Sequence, residues 1–417
     1  MTERNEKLVQ FPQQSSRDVL TEVLRDGARQ LLARAIEAEV DEYVTAHAAT
    51  VDDAGRRCVV RNGHLPTRAI QTPLGDVGIT QPRVRDRRPL GDRETFRSSI
   101  LPPYLRKTSS LDELYPWLYL KGISTGGFND ALQALLGPDA RGLSATTITR
   151  LKAVWEQEYD GWSTRSLAQR RYAYVWADGV YFNVRLADTD NKRQCILVVM
   201  GATREGTKEL IAITDGYRES EQSWRELLLD VQARGLTIDP ELAIGDGALG
   251  FWAAVRKVFP QTREQRCWVH KTANVLNKMP KGVQPKAKAM LQAIWMAETK
   301  AAADTAFDLV VATFHAKYPA ATACLEQDRD VLLTFYDFPA EHWIHIRTTN
   351  PIESTFATVR LRTTRTKGSG SRRACLTMVF KLALAAQKTW RALNSCQLIA
   401  AVIDGVPFVD GMRKDAA

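Results

Sequence analysis

The spacing of apolar side chains in the first 160 residues predicts helices on either side of a β-containing region. Residues 19–44 repeat apolar positions at helical intervals, which predicts one long helix or two shorter ones. Residues 67–83 form short β-type runs around Pro73-Leu74-Gly75, which predicts a hairpin carrying Arg68, Arg83 and Arg85. Three helical segments between residues 111 and 160 fit a helix-turn-helix unit, and an ordinary helical bundle fits them as well.

A β pattern begins at Tyr172. Two segments rich in aromatic and β-branched residues, 172–177 and 181–186, flank Asp178-Gly179, and this pair predicts a hairpin turn between them. Further strands are predicted at 194–203, 209–214 and 242–244, and helices at 219–234 and directly after Gly245-Asp246-Gly247. Strands in sequence, followed by alternating strand and helix, indicate a mixed α/β domain.

The last third of the chain is predicted to be helical. Residues 271–340 contain helical runs and almost no β pattern, which predicts an all-helical insertion. A helix then opens at Asn350-Pro351 and buries Ile352, Phe356 and Val359 on one face.

Composition excludes several classes of protein. The chain has 417 residues, of which 44% are hydrophobic and 25% charged, so it can bury a core and is not disordered throughout. Its longest nearly continuous apolar stretch, residues 196–202, is too short for a membrane span. The N-terminus lacks a secretory pattern and the six cysteines are scattered, so we expect a cytoplasmic, nucleoid-associated protein.

The formal charge of +9 is concentrated in two arginine-rich stretches. Residues 56–107 hold twelve bases against four acids, and residues 347–373 hold seven bases around one acid, Glu353. Arginine binds phosphate bidentately, so these stretches suggest a surface that binds a polyanion, although two solvated faces would have the same composition.

Three carboxylates occupy predicted ends of elements. Asp178 ends a strand, Asp246 follows a strand between two glycines, and Glu353 lies in the first turn of a helix with Arg360 on the same face. Two divalent cations that act on phosphate must be held by carboxylates, and strand ends are where such groups meet. Each acid also has an ordinary structural explanation: a turn, a helix start and a capping box with Asn350, respectively.

These residues resemble a known family. The Asp178 strand, the Gly245-Asp246-Gly247 turn and the segment from Asn350 to Ser354 followed by Arg360 are similar to the acidic triad of Mutator-like insertion-sequence transposases, at intervals of 68 and 107 residues. Three further segments resemble that family's basic N-terminal segment and its Cys-x-x-His element: Arg61-Asn62-Gly63-His64, Pro82-Arg83-Val84-Arg85-Asp86 and Arg266-Cys267-Trp268-Val269-His270-Lys271.

The resemblance implies an α/β fold with a ribonuclease-H-like mixed-sheet catalytic domain, interrupted by a helical insertion and preceded by helical, basic β-hairpin and helix-turn-helix-like DNA-binding regions. Asp178, Asp246 and Glu353 would hold two Mg²⁺ ions, for which Mn²⁺ can substitute. The enzyme would nick double-stranded DNA at terminal inverted repeats and join the 3′-hydroxyl to target DNA by transesterification, with Arg360 positioning a phosphate. Because two element ends must be paired, we expect a homodimer or higher oligomer, with residues 19–44 as a candidate contact.

The expected organisation has six regions: 1–50 helical, 51–108 arginine-rich, 109–165 helix-turn-helix-like, 166–262 with 346–395 catalytic, 263–345 helical insertion, and 396–417 tail. The candidate DNA-binding residues are polar or basic side chains of these regions: Arg61, Asn62, His64, Arg68, Arg83, Arg85, Arg87, Arg88, Arg150, Lys152, Arg347, Arg362, Arg365, Lys367, Arg372 and Arg373.

Cys267 and His270 have the spacing of half a zinc site, which His342 and His345 would complete. The halves are some seventy residues apart, so zinc is disfavoured, and a buried cysteine with a hydrogen-bonded histidine that supports the active site is preferred.

Two other functions are compatible with parts of this pattern. A non-catalytic DNA-binding protein or repressor would use residues 56–160 and would not need the acids. Another ribonuclease-H-like nuclease would hydrolyse without joining and would not need the basic N-terminal region.

Overall fold

A computed structural model describes most of the chain: residues 19–120, 133, 145–184, 193–216, 218–247, 249–365 and 371–414. The chain divides into two compact units, residues 1–148 and residues 149–417. Within the described ranges, no helix has the length and apolar character needed to cross a membrane.

The first unit contains one long helix and four short strands. These are α1 (Val19–Ala46), β1 (Val59–His64), β2 (Arg68–Thr72), β3 (Gly75–Ile79) and β4 (Pro82–Asp86), followed by α2 (Ser109–Leu120). The hairpin predicted around Pro73-Leu74-Gly75 is confirmed, because β2 and β3 pair antiparallel and Gly75 has the positive φ of 98° that favours glycine. Arg83 and Arg85, however, lie on β4, which pairs with β1.

The core of this unit joins the helix to the hairpin. Ile36 of α1 is buried against Ile70, Val77 and Ile79 of β2 and β3, together with Leu101. The predicted helix-turn-helix unit lies largely outside the described residues, because only residue 133 is described between α2 and α3 (Ala145–Ser163).

The second unit is built on a five-stranded mixed sheet with the order β7-β6-β5-β8-β9. Its elements are β5 (Tyr172–Asn183), β6 (Arg193–Thr203), β7 (Lys208–Gly216), α4 (Glu221–Ala233), β8 (Leu242–Gly245), α5 (Leu249–Val258) and β9 (Arg263–Arg266). The first three strands form an antiparallel meander, and β8 and β9 continue the sheet in parallel with β5. The predicted mixed α/β fold is confirmed.

Helices cover the sheet on both faces. Every residue of β6 after Arg193 is buried, which is typical of a strand whose two faces are covered. Trp224 and Leu228 of α4 pack with Phe251 and Val255 of α5 in one apolar cluster that also contains strand residues. The spacing of these helical residues, three or four positions apart, gives each helix one buried face.

The hairpin predicted at Asp178-Gly179 is wrong. Both residues lie inside the continuous strand β5, where Asp178 pairs with Val198 and Gly179 with Leu197 of β6. Gly179 lacks the positive φ that a type I′ turn requires, and its missing side chain serves a close packing contact instead.

Helices make up most of the chain after β9. They are α6 (Trp268–Leu276), α7 (Gln284–Trp295), α8 (Lys300–Phe314), α9 (Pro319–Glu326), α10 (Arg329–Leu332), α11 (Trp343–Ile346), α12 (Asn350–Arg365), α13 (Arg372–Gln387) and α14 (Leu398–Ile403), and the pair β10 (Phe408–Val409) and β11 (Met412–Arg413) follows. The indole of Trp268 donates to Leu332 O at 2.8 Å, and the amide of Gln265 donates to the same oxygen at 3.0 Å. These bonds join the edge of the sheet to the helices between α6 and α12.

Two helical glycines offer a matched test of packing in the second unit. A Cβ at Gly250 of α5 would lie 2.5 Å from Glu219 O and 2.6 Å from Glu221 N, whereas a Cβ at Gly161 of α3 would have no neighbour within 4 Å. We expect Gly250→Ala to destabilise the protein by about 1–3 kcal/mol, because backbone must move. Gly161→Ala should be neutral or stabilise by up to about 1 kcal/mol. Chemical denaturation of both variants checks this, and equal stabilities would contradict the described packing.

Candidate active site

Asp178 lies on β5, and Asp246 directly follows the neighbouring parallel strand β8. Tyr174 pairs with Leu242 and Trp176 with Ile244, so the same register carried two residues further places Asp178 beside Asp246. Asp178 is buried, with 9% of its surface exposed. Burial, followed by the negative charge of Asp246, raises the pKa of Asp178 to about 7.

The turn that carries Asp246 is fixed by bonds to its backbone. The indole of Trp252 and the guanidinium of Arg266 each donate to Asp246 O at 2.9 Å. The N–H of Cys267 donates to Gly245 O at 2.8 Å. The carboxyl end of β8 is therefore held from both α5 and the start of α6.

Glu353 is brought to the same strand by α12. Ile352, Phe356 and Val359 are each 0% exposed, as predicted, and α12 packs against β5. Glu353 lies on the adjacent face of the helix, half-buried. Its backbone N–H donates to Thr349 O at 3.0 Å, and the Thr349 hydroxyl donates to Glu353 Oε1 at 2.6 Å. The capping box suggested for Asn350 and Glu353 is not formed, because the Asn350 N–H donates to Thr348 Oγ1 at 3.4 Å and Glu353 bonds Thr349 instead.

The three predicted acids share one electrostatic environment with two positive groups. The charges of Asp246 and Glu353 act to raise the pKa of Asp178, while those of His270 and Arg360 act to lower it. The other four side chains therefore lie within electrostatic range of Asp178 on β5, although they are supplied by the turn after β8, by α6 and by α12.

Cys267 and His270 lie beside Glu353. The Thr349 N–H donates to Cys267 Sγ at 3.3 Å, and His270 Nδ1 is 3.6 Å from Glu353 Oε1. The hydrogen bond to Cys267 raises the pKa of His270 to about 9. Burial acts to raise the pKa of the Cys267 thiol, but hydrogen bonds with His270 and Thr349 outweigh it, so that pKa is lowered.

His342 and His345, the two histidines considered for a zinc site, form hydrogen bonds with other residues. His342 Nδ1 is 2.7 Å from the Tyr174 hydroxyl, and the N–H of Asn394 donates to His345 Nε2 at 3.2 Å. The candidate ligand atoms of Cys267 and His270 lie within 4.8 Å of one another and of a Glu353 oxygen.

Two residues of this site were not predicted from the sequence. Glu219, between β7 and α4, has a pKa raised to about 7 by burial and then by the charges of Asp246 and Asp178. Thr349 is fully buried between Cys267 and Glu353. The only local signals were an acid directly before the N-cap Ser220 and a threonine directly before Asn350-Pro351.

The candidate DNA-binding residues of the first unit fall into two groups. Some have partners within the protein: Arg61 bonds Glu37 and Asp41, His64 lies 3.4 Å from Glu37, Arg68 donates to Leu101 O, and Arg88 pairs with Asp86. Others have exposed side chains: Asn62, Arg83, Arg85 and Arg87.

The candidates of the second unit divide in the same way. Arg347 donates to Trp295 O at 2.7 Å, Arg372 pairs with Asp215 at 2.6 Å, and Arg373 pairs with Asp160. Arg150 is exposed and Lys152 half-buried on α3. The side chains of Arg362 and Arg365, and the whole of Lys367, lie outside the described residues.

Comparison with known proteins identifies the family. The model of the family described as "Transposase, Mutator family" matches residues 1–392. The chain is 54% identical over 301 residues to the transposase for insertion sequence element IS6120 of Mycolicibacterium smegmatis, covering 72% of this chain and 92% of the relative. It is 52% identical over 290 residues to the transposase for insertion sequence element IST2 of Acidithiobacillus ferrooxidans, covering 68% of this chain and 95% of the relative.

A more distant relative covers more of the chain. The transposase for insertion sequence element ISRM5 of Rhizobium meliloti (strain 1021) is 26% identical over 373 residues, 89% of each chain. The chain therefore belongs to the Mutator family of transposases, enzymes that cut and join DNA.

Proposed function

We propose that this transposase is of the DDE type and that Asp178, Asp246 and Glu353 hold two divalent cations, Mg²⁺ or Mn²⁺. The observation that carries this proposal is the convergence of the three carboxylates on the end of one parallel strand pair, where the charges of Asp246 and Glu353 act to raise the pKa of Asp178. Carboxylate oxygens are the ligands that magnesium prefers. The negative charges of Asp246 and Glu353 repel that of the buried Asp178, so the donor set fits a cation.

The proposed fold is ribonuclease-H-like. A mixed sheet with its first strand in the centre supports this, as do the helices that fill residues 267–349 between the second acid and the third. The proposed domain would comprise the sheet with α12 and α13, and the helices from α6 to α11 would be the insertion.

The proposed chemistry consists of two displacements at phosphorus. In the first, water attacks a phosphodiester at the end of the element, one P–O bond forms, and the bond to the 3′-oxygen breaks to leave a 3′-hydroxyl. In the second, that hydroxyl attacks a phosphodiester of target DNA, so one P–O bond again replaces another. Bound cations would activate the attacking oxygen and stabilise the leaving oxygen.

The protein's own groups prepare these steps. The Thr349 hydroxyl and His270 orient the Glu353 carboxylate, and Cys267 is in turn bonded to Thr349. Arg360, two turns along α12 from Glu353, would position a DNA phosphate. The exposed Arg83, Arg85 and Arg87 would bind the DNA backbone along its path.

We further propose a homodimer or higher oligomer on DNA, because two element ends must be paired before joining. The first half of α1 is a candidate contact, since Val19, Val23 and Leu31 are more than 60% exposed.

Replacing Asp246 tests the site and separates it from the alternatives. With oligonucleotides carrying the DNA that flanks this gene, Asp246→Asn should lower 3′-end nicking and strand transfer at least about a hundredfold, because several kcal/mol of charge stabilisation are lost. End binding should persist. Asp404→Asn, at an exposed ion pair with Arg204, is the matched control and should cut normally.

Nicking by Asp246→Asn at the wild-type rate would overturn the site. Binding by wild type without nicking would favour a non-catalytic DNA-binding protein. Nicking without joining would favour a hydrolytic nuclease.

Thr349 should act as a positioning residue for Glu353. Thr349→Val removes the hydroxyl while keeping the shape, and we expect it to raise the Mg²⁺ concentration needed for half-maximal nicking about 10–100-fold. Thr349→Ser keeps the hydroxyl and should restore most of the response. A magnesium titration of nicking measures this, and wild-type magnesium dependence in the valine variant would show that the hydrogen bond is not needed.

The raised pKa of Asp178 predicts a pH-dependent stability of the metal-free protein. An Asp ionises near pH 4 when unfolded, so a folded pKa of about 7 makes folding less favourable as pH rises from 4 to 7. In EDTA at pH 8, Asp178→Asn should therefore have a higher melting temperature than wild type. The increase should be about 2–4 °C for each kcal/mol of unfolding free energy gained, and it should be smaller at pH 5. Calorimetry at both pH values measures the difference in melting temperature between the variant and wild type. A smaller advantage of the variant at pH 8 than at pH 5 would contradict the prediction.

A further inference from the structure

Glu219 is a fourth carboxylate near the acidic triad, and its side chain lies against the strand that carries Asp178, at Gly179. A Cβ on Gly179 would lie 2.4 Å from both Cγ and Cδ of Glu219 and 2.5 Å from Oε1. No residue with a side chain fits at position 179 while Glu219 lies there. The Glu219 carboxylate therefore lies against the backbone of the residue that follows Asp178.

The backbone of Glu219 is fixed from the other side by α5. A Cβ on Gly250 would lie 2.5 Å from Glu219 O, so α5 packs directly against this segment. Ser220 caps α4 by accepting a hydrogen bond from Ser223 N at 3.2 Å, which fixes the next residue. Since α5 begins three residues after Asp246, Glu219 is held between the strand of one acid and the helix that follows the other.

The Glu219 carboxylate is affected by charges of the same residues that surround the acidic triad. Asp246 and Asp178 repel its negative charge, and the hydrogen bond with Tyr181 and the charge of His270 favour it. The triad supplies three negative charges, whereas two divalent cations carry four positive ones. A fourth carboxylate would bring the negative charge of the ligands to four.

We propose that Glu219 is a further ligand of the cations at this site, acting with Asp178 and Asp246 directly or through a bound water. This inference rests on the proposed function, because it requires that the triad binds metal.

Manganese binding to the full-length protein in the absence of DNA tests the assignment without relying on activity. We expect Glu219→Gln to raise the dissociation constant for Mn²⁺, measured by electron paramagnetic resonance, by at least about tenfold. Glu221→Gln is the matched control: the same substitution two residues away, at a side chain paired with Lys257, should leave Mn²⁺ binding unchanged. Wild-type Mn²⁺ affinity in folded Glu219→Gln would overturn the inference.

Asp246→Asn, titrated in parallel, separates this inference from the function on which it rests. If Asp246→Asn loses Mn²⁺ affinity and Glu219→Gln does not, the inference fails and the triad stands. If Asp246→Asn binds Mn²⁺ like wild type, the proposed metal site itself fails.

A second pair of variants tests the geometry, including the case in which Glu219→Gln does not fold in EDTA. Gly179→Ala should displace the Glu219 side chain and weaken Mn²⁺ binding in the wild-type background. In a Glu219→Ala background the same substitution should add little, because the three nearest atoms to the new Cβ all belong to Glu219. Equal weakening in both backgrounds would show that Gly179 does not act through Glu219, and would overturn the inference.

Discussion

The parallel pairing of β5 with β8 is the constraint on which the rest of the site depends. Its register places Asp178 level with Asp246, and a slip of one residue would turn one of the two side chains to the opposite face of the sheet. The apolar faces of α4 and α5 hold that register, because Trp224 and Phe251 pack with strand residues in one core. The other site residues reach this point from separate elements: Glu353 on α12, His270 on α6 and Glu219 on the connection before α4.

Local pattern predicted most of the elements, because these depend on residues close in sequence. Strands and helices follow apolar periodicity, and Asp246 and Glu353 lie at the glycine turn and helix start that their neighbours specify. The error at Asp178-Gly179 arose because that pair has the composition of a turn. Its glycine is instead required by Glu219, forty residues away in the chain, and contact over such a separation leaves no periodic signal. Glu219 and Thr349 were missed for the same reason.

Counting charges located the basic stretches of the sequence. It could not show which of their arginines pair with acids of the protein and which are exposed. Arg61, Arg88 and Arg372 each bond acids of the protein itself, so their presence in a basic stretch reflects internal ion pairs as well as surface charge. Arg83, Arg85 and Arg87 have neighbouring positions in the same stretch, yet their side chains are exposed. Along β4 the exposed Arg83 and Arg85 alternate with less exposed residues, so their exposure follows from strand geometry rather than from composition.

The geometry that brings the carboxylates together also lowers the stability of the metal-free protein. Asp178 is buried among like charges, and a folded state that raises its pKa to about 7 is less stable at neutral pH than one without that carboxylate would be. Helix packing and the hydrogen bonds around Cys267, Thr349 and Glu353 keep the groups together despite this repulsion. A cation that binds only the folded protein would relieve the repulsion and add its own binding free energy to stability. Metal binding and folding of the second unit would then be linked, because the carboxylates that repel one another without a cation are the groups that would bind it.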